Sequence, residues 1–290
     1  VAALLVVNPF ASRVDDALVE RVRAVLGDVE VARTERPGHA TELVRDACGW
    51  AEAIYVLSGD GGFNEALNGA DGRVPLGFLP GGGANVLPRA LGLPRDAVRA
   101  AERMRAAVPR RISLGRVDGR RFGFACGVGL DAELVRRVDA LGRRPDGRRP
   151  GDLAFVWAAL RLLAQRRGRL EPTLELEGLG RVAFALVANG DPYTYAGRLP
   201  LHAAPLARFE GGLDLVAPRA VTPRSLPRLA AYLLCGDGQQ RARDVVYRHD
   251  LDRLRIRCDR PTPLQVDGED LGDVTEALVE CERDAVAVLV

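Results

Sequence analysis

The stretch VLSGDGGFNEALNG, Val56 to Gly69, decides the fold. It opens as the end of the apolar run AIYVLS, closes through Ser58-Gly59-Asp60-Gly61-Gly62, and passes directly into helix-forming residues. A strand that gives way through glycines to a helix is suited to an anion. Glycine lets the backbone approach a ligand closely, and the unpaired N–H groups and positive dipole end of the helix attract negative charge. Beside a bound phosphate, a carboxylate at Asp60 serves to hold a divalent cation, directly or through water. Taken alone, the same residues also describe a tight turn with Asp60 as its cap.

Working outward, Leu79-Pro80-Gly81-Gly82-Gly83-Ala84-Asn85 follows the strand PLGFLP and again precedes a helix. Two neighbouring strands then present N–H-rich loops on one sheet edge, which suggests a triphosphate cradle. Neither loop matches the dinucleotide pattern G-x-G-x-x-G. A third element, Asn8-Pro9-Phe10-Ala11-Ser12, follows the opening strand VAALLVV, although Asn-Pro is also a common turn starter.

Short apolar runs (VAALLVV, VEVART, AIYVLS, PLGFLP) alternate with helical patterns from Asp16 to Leu26, from about His39 to Cys48, from Phe63 and from near Pro94. This predicts an N-terminal three-layer α/β nucleotide-binding domain over residues 1–110. Beyond Pro109 the texture changes to strand-like segments between glycine-rich turns, predicting a β-rich, β-sandwich domain over 111–290 with a helix from Asp152 to Gln165. The last strand, residues 284–290, can pair in either domain.

Among 290 residues, 41 basic and 39 acidic side chains leave a net charge of +2, so no global excess marks a nucleic-acid partner. Every basic residue apart from the 3 histidines is arginine. Without lysine, neither a Walker A loop nor Schiff-base chemistry can operate. The cysteines (Cys48, Cys126, Cys235, Cys258, Cys281) form no C-x-x-C pair, which argues against structural zinc and a disulfide framework and fits a reducing cytoplasm. No apolar run approaches the length of a membrane span, and the opening residues lack the basic start of a signal peptide.

The motifs N-P-x-x-S at Asn8, S-G-D-G-G-x-N-E at Ser58 and L-P-G-G-G-A-N at Leu79 together resemble the diacylglycerol kinase catalytic family, which includes sphingosine kinases and bacterial lipid kinases. The resemblance runs almost the full length. It implies ATP and Mg²⁺ as cofactors, with nucleotide contacts at Asn8, Thr34, Ser58, Gly59, Asp60, Gly61, Gly62, Asn64, Glu65, Gly81, Gly82, Gly83 and Asn85, and Asp60 at the metal. In Leu264-Gln265-Val266-Asp267-Gly268-Glu269 it resembles the family's D-G-E segment, where an acid is assigned as general base, making Asp267 and Glu269 the candidates. Asp-Gly is equally an ordinary hairpin turn.

The chain also departs from the family. Most members have Gly-Asp-Gly-Thr where Gly61-Gly62 stands here, and many have Gly-Thr where Gly82-Gly83 stands, so two phosphate-facing hydroxyls are missing. Gly211 stands where an Asp supplies a second, structural Mg²⁺ site, with Glu210 or Asp214 as substitutes. His39, His202 and His249 show no metal spacing. The Arg143 to Arg149 cluster suits either an anionic headgroup or solvent, and Trp157, Leu160 and Leu163 suit either an acyl-chain cleft or core packing.

The implied activity is phosphorylation of a membrane-lipid hydroxyl, diacylglycerol by default, by a cytoplasmic enzyme that visits the membrane surface transiently; a homodimer is left open. Two other readings stand beside it: an NAD kinase-like enzyme, and a catalytically silent nucleotide- or lipid-binding protein.

Overall fold

In the computed structural model, which describes residues 2–142 and 152–290, the apolar run Ala3–Val7 becomes β1 and is buried along its whole length. The described residues divide into two compact units, one of residues up to 114 together with 283–290, the other of residues from 115 to 282. The Arg143 to Arg149 cluster lies outside the described residues.

In the first unit β1 is followed by α1 (Asp16–Leu26), β2 (Glu30–Arg33), α2 (His39–Ala47), β3 (Ala53–Ser58), α3 (Asp60–Gly69), β4 (Leu76–Pro80), α4 (Val86–Ala90) and α5 (Ala97–Arg105). Asp15 starts α1 by accepting the Leu18 N–H at 2.7 Å, which satisfies one of the helix's orphan donors. The strands pair in parallel in the order β4-β3-β1-β2, with Val6 beside both Ala32 and Val56. One face, carrying Leu5, Tyr55 and Leu57, packs on Val19 and Val22 of α1 and Met104 of α5. The opposite face meets α3 through the edge-to-face contact of Phe78 with Phe63, 5.4 Å between ring centres. With helices on both faces the strands read as apolar throughout, and each fully buried Leu or Val contributes about 2 kcal/mol.

The chain leaves this unit along β5 (Pro109–Val117), and its final residues return to it: Val288 pairs in parallel with Leu76 of β4. Arg111 anchors that return, donating to the Gly72 and Asp284 carbonyls, each at 3.0 Å.

The second unit contains β6 (Arg120–Phe122), β7 (Ala125–Val128), α6 (Leu130–Asp139), α7 (Asp152–Gln165), β8 (Leu174–Leu176), β9 (Gly180–Val182), β10 (Ala185–Ala188), β11 (Thr194–Ala196), β12 (Leu199–Leu201), β13 (Leu213–Pro218), α8 (Leu226–Cys235), β14 (Val245–Leu251), β15 (Arg253–Val266) and most of β16 (Glu269–Leu289). It is β-rich and antiparallel, in the order β14-β13-β10-β7-β15-β16. β15 pairs with β8 through Ile256 and with β7 through Leu264 to Val266, with a register shift against β16 between Arg257 and Thr262. One core, including Phe122, Cys126, Leu174, Val187, Ile256 and Val279, serves the strands of this sheet, and β11 pairs with β12 apart from it.

Candidate functional site

Chain order sets the position of the site. From β1 the chain crosses to β2 on one side, then returns past β1 to β3 and β4 on the other. That reversal opens a crevice outside the carboxyl ends of β1 and β3, the usual ligand position in an open α/β sheet. Asn8 and Ser58 occupy those ends. The Asn8 backbone N–H donates to the Leu57 carbonyl at 3.0 Å, and its side chain bridges: Oδ1 accepts the Phe10 N–H at 2.9 Å while Nδ2 donates to Ser58 Oγ at 3.1 Å. Thr34 follows β2 on the same edge, buried, its N–H donating to the Val7 carbonyl at 2.9 Å.

The two glycine loops lie back to back. A Cβ on Gly82 would sit 2.7 Å from the Gly59 Cα, and one on Gly81 would sit 2.6 Å from a Val14 methyl, so both contacts require glycine. Asn85, at φ 49°, ties the second loop with both ends of its amide, accepting from the Gly82 N–H at 2.9 Å and donating to the Gly82 carbonyl at 2.8 Å. Gly83 and Ala84 are exposed beside it. Asp60 joins the loops: its Oδ1 accepts the Val86 N–H at 2.6 Å, at the start of α4. First-turn N–H groups of α3, at Gly61 and Gly62, have no intrahelical acceptor and face the same edge.

Asn64 and Glu65 are turned to other duties. Asn64 is buried, and the Asn68 amide donates to its backbone carbonyl at 2.8 Å and to its Oδ1 at 3.3 Å. Glu65 accepts the Gly38 and Ala40 N–H groups at 2.9 and 3.2 Å, which caps α2 and fixes the loop after β2.

In the second unit, Asp267 and Glu269 differ sharply. Asp267 has φ 47°, is buried, and accepts three backbone N–H groups, from Gly123 at 2.7 Å, Phe124 at 2.9 Å and Ala125 at 3.1 Å. Its carboxylate holds the turn into β7. Glu269 is partly exposed and paired with Arg120. A polar group that sequence reasoning missed lies near Asp267: Asp131 accepts from Gln265 Nε2 at 2.5 Å and bonds the Tyr193 hydroxyl. Burial pushes the Asp131 carboxyl above the ordinary carboxylate range and the Tyr193 phenol well above its own. Gly127 has no side chain because a Cβ there would lie 2.4 Å from Asp131 Oδ2. The readable signal was Gly129-Leu130-Asp131, another strand–glycine–acid–helix junction.

Residues 2–117 match the model of the diacylglycerol kinase catalytic domain. The chain is 30% identical over 229 residues to the diacylglycerol kinase of Bacillus subtilis (strain 168), covering 74% of this chain and 68% of that protein. The chain belongs to the diacylglycerol kinase catalytic family. It is also 28% identical over 259 residues to a probable lipid kinase of Chromohalobacter salexigens, covering 87% and 80% of the two chains. Two further relatives, from Streptococcus pneumoniae and Staphylococcus carnosus, are matched over only 50% and 49% of their own length. A crystal structure of a diacylglycerol kinase from Bacillus anthracis str. Sterne shares the fold, with TM-score 0.71 at 18% identity over 99% of this chain and 96% of that one.

Membership in a family of lipid kinases implies two metal roles, and the donors here suit one of them. Asp60 is a single carboxylate between two N–H-rich loops, the kind of partial donor set that Mg²⁺ uses when substrate phosphates complete its shell. The second, structural site does not fit. Asp214 is fully buried and accepts from the Tyr247 hydroxyl at 2.6 Å, with His249 Nδ1 2.7 Å away. Arg208 already donates its guanidinium to the Pro205 and Ala207 carbonyls at 3.0 and 2.8 Å, so the loop before Gly211 carries a cation of its own. Among the described residues no cluster of three His, Cys, Asp or Glu side chains could hold a metal.

The histidines have other partners. His202 Nδ1 lies 2.7 Å from Asp191, and His39 Nδ1 accepts the Glu35 N–H at 3.1 Å.

Proposed function

We propose that this chain transfers the γ-phosphoryl group of ATP to the hydroxyl of a membrane lipid, with diacylglycerol as the default acceptor. The observation that carries the reading is the back-to-back packing of Gly59 on Gly82 at the switch point of a parallel sheet, with Asp60 bridging the loops. Two N–H-rich turns locked in register present a preorganised surface for a chain of phosphates, with little left to order when the ligand arrives. When bound, Mg²⁺ neutralises charge on the phosphate oxygens, and Asp60 is the residue to hold it. In this reading Asn8 and Thr34 line the nucleotide crevice, while Asn64 and Glu65 support it from behind.

An alcohol is a poor nucleophile at neutral pH, so a carboxylate must accept its proton as transfer proceeds. Of the two candidate bases, Glu269 is the better. Both Asp267 oxygens already accept N–H donors, whereas Glu269 is partly exposed and paired with Arg120. A lipid acceptor also fits the surface of α7, where Trp157 is 71% and Leu160 54% exposed. Among the described residues no helix is long and apolar enough to cross a membrane, and we assign peripheral, transient association to the α7 face.

The test is Mg²⁺-dependent transfer of labelled γ-phosphate into mixed-micelle diacylglycerol, sphingoid base, ceramide and NAD. Lipid labelling that disappears in Asp60→Ala and Glu269→Gln supports the proposal and names the acceptor. Labelling of NAD alone, or ATP binding with no acceptor labelled, overturns it.

A further inference from the structure

β14 and β15 are joined by Asp252 alone, yet they do not pair with each other: β14 pairs with β13, and β15 with β7, β8 and β16. Strands that part at so short a link leave a cleft between them. The turn from β8 to β9 walls its side, where the Glu177 N–H donates to the Arg255 carbonyl at 3.1 Å. The cleft has a volume of about 240 Å³ and lies wholly within the second unit. Its floor is apolar: Leu254 is buried, and Leu179 and Leu251 pack against the core of the unit. Its rim is basic, with Arg248, Arg253 and Arg255 against one carboxylate, Glu177.

The three arginines are not equivalent. Arg255 is paired with Glu276 and lies 3.7 Å from Glu177, so its charge is already balanced and it serves as wall. Arg248 donates to one backbone carbonyl, that of Tyr247, at 2.8 Å. Arg253 has no acid partner among the described residues. Two guanidinium groups therefore border one leucine floor with most of their donors unused. A guanidinium presents its N–H groups as a planar fork that fits phosphate oxygens two at a time. Leucines beneath such forks give a place to the carbon next to the phosphate ester. The volume is below the roughly 300 Å³ at which drug-sized sites begin, which suits a headgroup better than a nucleotide.

We propose that this cleft is a binding site for a phosphate anion, with Arg248 and Arg253 holding the oxygens and Leu179, Leu251 and Leu254 beneath the ester. Such a phosphate comes either from a phospholipid headgroup or from a small free phosphate compound. The site is separate from the ATP reading above, which concerns the glycine loops of the first unit.

The test uses the full chain without ATP or Mg²⁺. Inorganic phosphate, glycerol 3-phosphate and a short-chain, micelle-free phosphatidate are titrated by calorimetry into the unaltered chain, Arg248→Gln, Arg253→Gln and the double variant. Arg241→Gln, at an exposed arginine paired with Asp237, controls for net charge, and thermal midpoints check folding. Saturable binding is expected in the unaltered chain. Each cleft variant should weaken it about tenfold or more, as loss of a charge-assisted hydrogen bond does, and the double variant should abolish it. Arg241→Gln should bind as the unaltered chain does. All these substitutions fall on exposed side chains, so the midpoints should stay in place.

Tighter binding of phosphatidate than of glycerol 3-phosphate supports the site and makes the headgroup its ligand. Equal affinity for all three supports it with a free phosphate. No saturable binding at millimolar ligand overturns the proposal. So does a double variant that titrates as the unaltered chain does, because the phosphate then sits elsewhere, or an equal loss in Arg241→Gln, because net charge alone then explains the binding. A chain that binds no ATP or labels no lipid leaves this test intact.

Discussion

The Asp60 carboxylate accepts the Val86 N–H at 2.6 Å, across 26 residues of sequence, and so holds the first glycine loop against the start of the helix that follows the second. One side chain thereby has a structural duty and a candidate metal duty. Asp60→Ala is expected to cost about 1 kcal/mol of stability, the usual loss when a helix-start acceptor is removed. It should also cut phosphoryl transfer about a hundredfold or more. Asp60→Asn separates the duties, since an amide oxygen can still accept from Val86 but brings no charge to a cation. Denaturant titration beside the kinase assay should show near-native stability and low activity in that variant.

Glycine is required at one position of the second loop and dispensable at its neighbour. A Cβ at 82 collides with the Gly59 backbone, whereas nothing lies within 4 Å of a Cβ at 83. Gly82→Ala should therefore destabilise the chain by about 1–3 kcal/mol and weaken ATP binding, because the backbone must move to accept the methyl group. Gly83→Ala should stay within about 0.5 kcal/mol of the original, as an exposed substitution without new contacts. Urea midpoints of the two variants check the contrast.

The two acids of the Asp267-Gly268-Glu269 turn should separate by phenotype. Asp267→Asn places an amide donor among backbone N–H donors and is expected to lower stability by about 2 kcal/mol, with activity falling as a consequence. Glu269→Gln should leave the unfolding transition nearly in place and reduce kcat about a hundredfold or more, as loss of a general base does. If Glu269→Gln unfolds early and Asp267→Asn keeps its stability while losing kcat, the roles are reversed.

Asp131 carries a pH signature. Burial raises its carboxyl above the ordinary value of about 3.9. A group raised in the folded state stabilises the fold fully below its unfolded pKa, and that contribution is lost as pH rises through the folded one. Asp131→Asn removes the charging step. Relative to the unaltered chain it should gain stability on going from about pH 4 to about pH 7, measured by urea unfolding at both values.

Arg208 occupies backbone carbonyls in the loop where the family's structural cation is expected. Chelation of divalent ions from the ligand-free chain should accordingly move the thermal midpoint by less than about 1 °C, since an ion adds stability by linkage only where a site holds it. A drop of several degrees, reversed by Mg²⁺, would show that a site exists.

Much of the site was legible as local pattern. The loops at Ser58 to Gly62 and Gly81 to Asn85 follow buried strands and precede helices, and the structure brings both to one sheet edge together with Asn8. Less could be read for Asn64 and Glu65: their motif positions are clear, but Asn64 pairs within its own helix and Glu65 caps α2. Asp131 escaped notice because its partners, Gln265 and Tyr193, are far away in sequence.

The sequence by itself determined the strands and helices of the first domain, where the glycines fall and which family the motifs resemble, because periodicity, turn chemistry and backbone freedom act over a few neighbouring residues, while α6 and α8 of the second domain were not read from it. Only the tertiary structure decided what each polar group touches: Asp60 on Val86, Ser58 in the space above Gly62, Asp267 on the N–H groups of 123 to 125, and the last strand beside β4. Those choices depend on elements that meet only once the cores have packed, and a hydrogen bond is decided by a few tenths of an ångström that no run of neighbouring residues fixes.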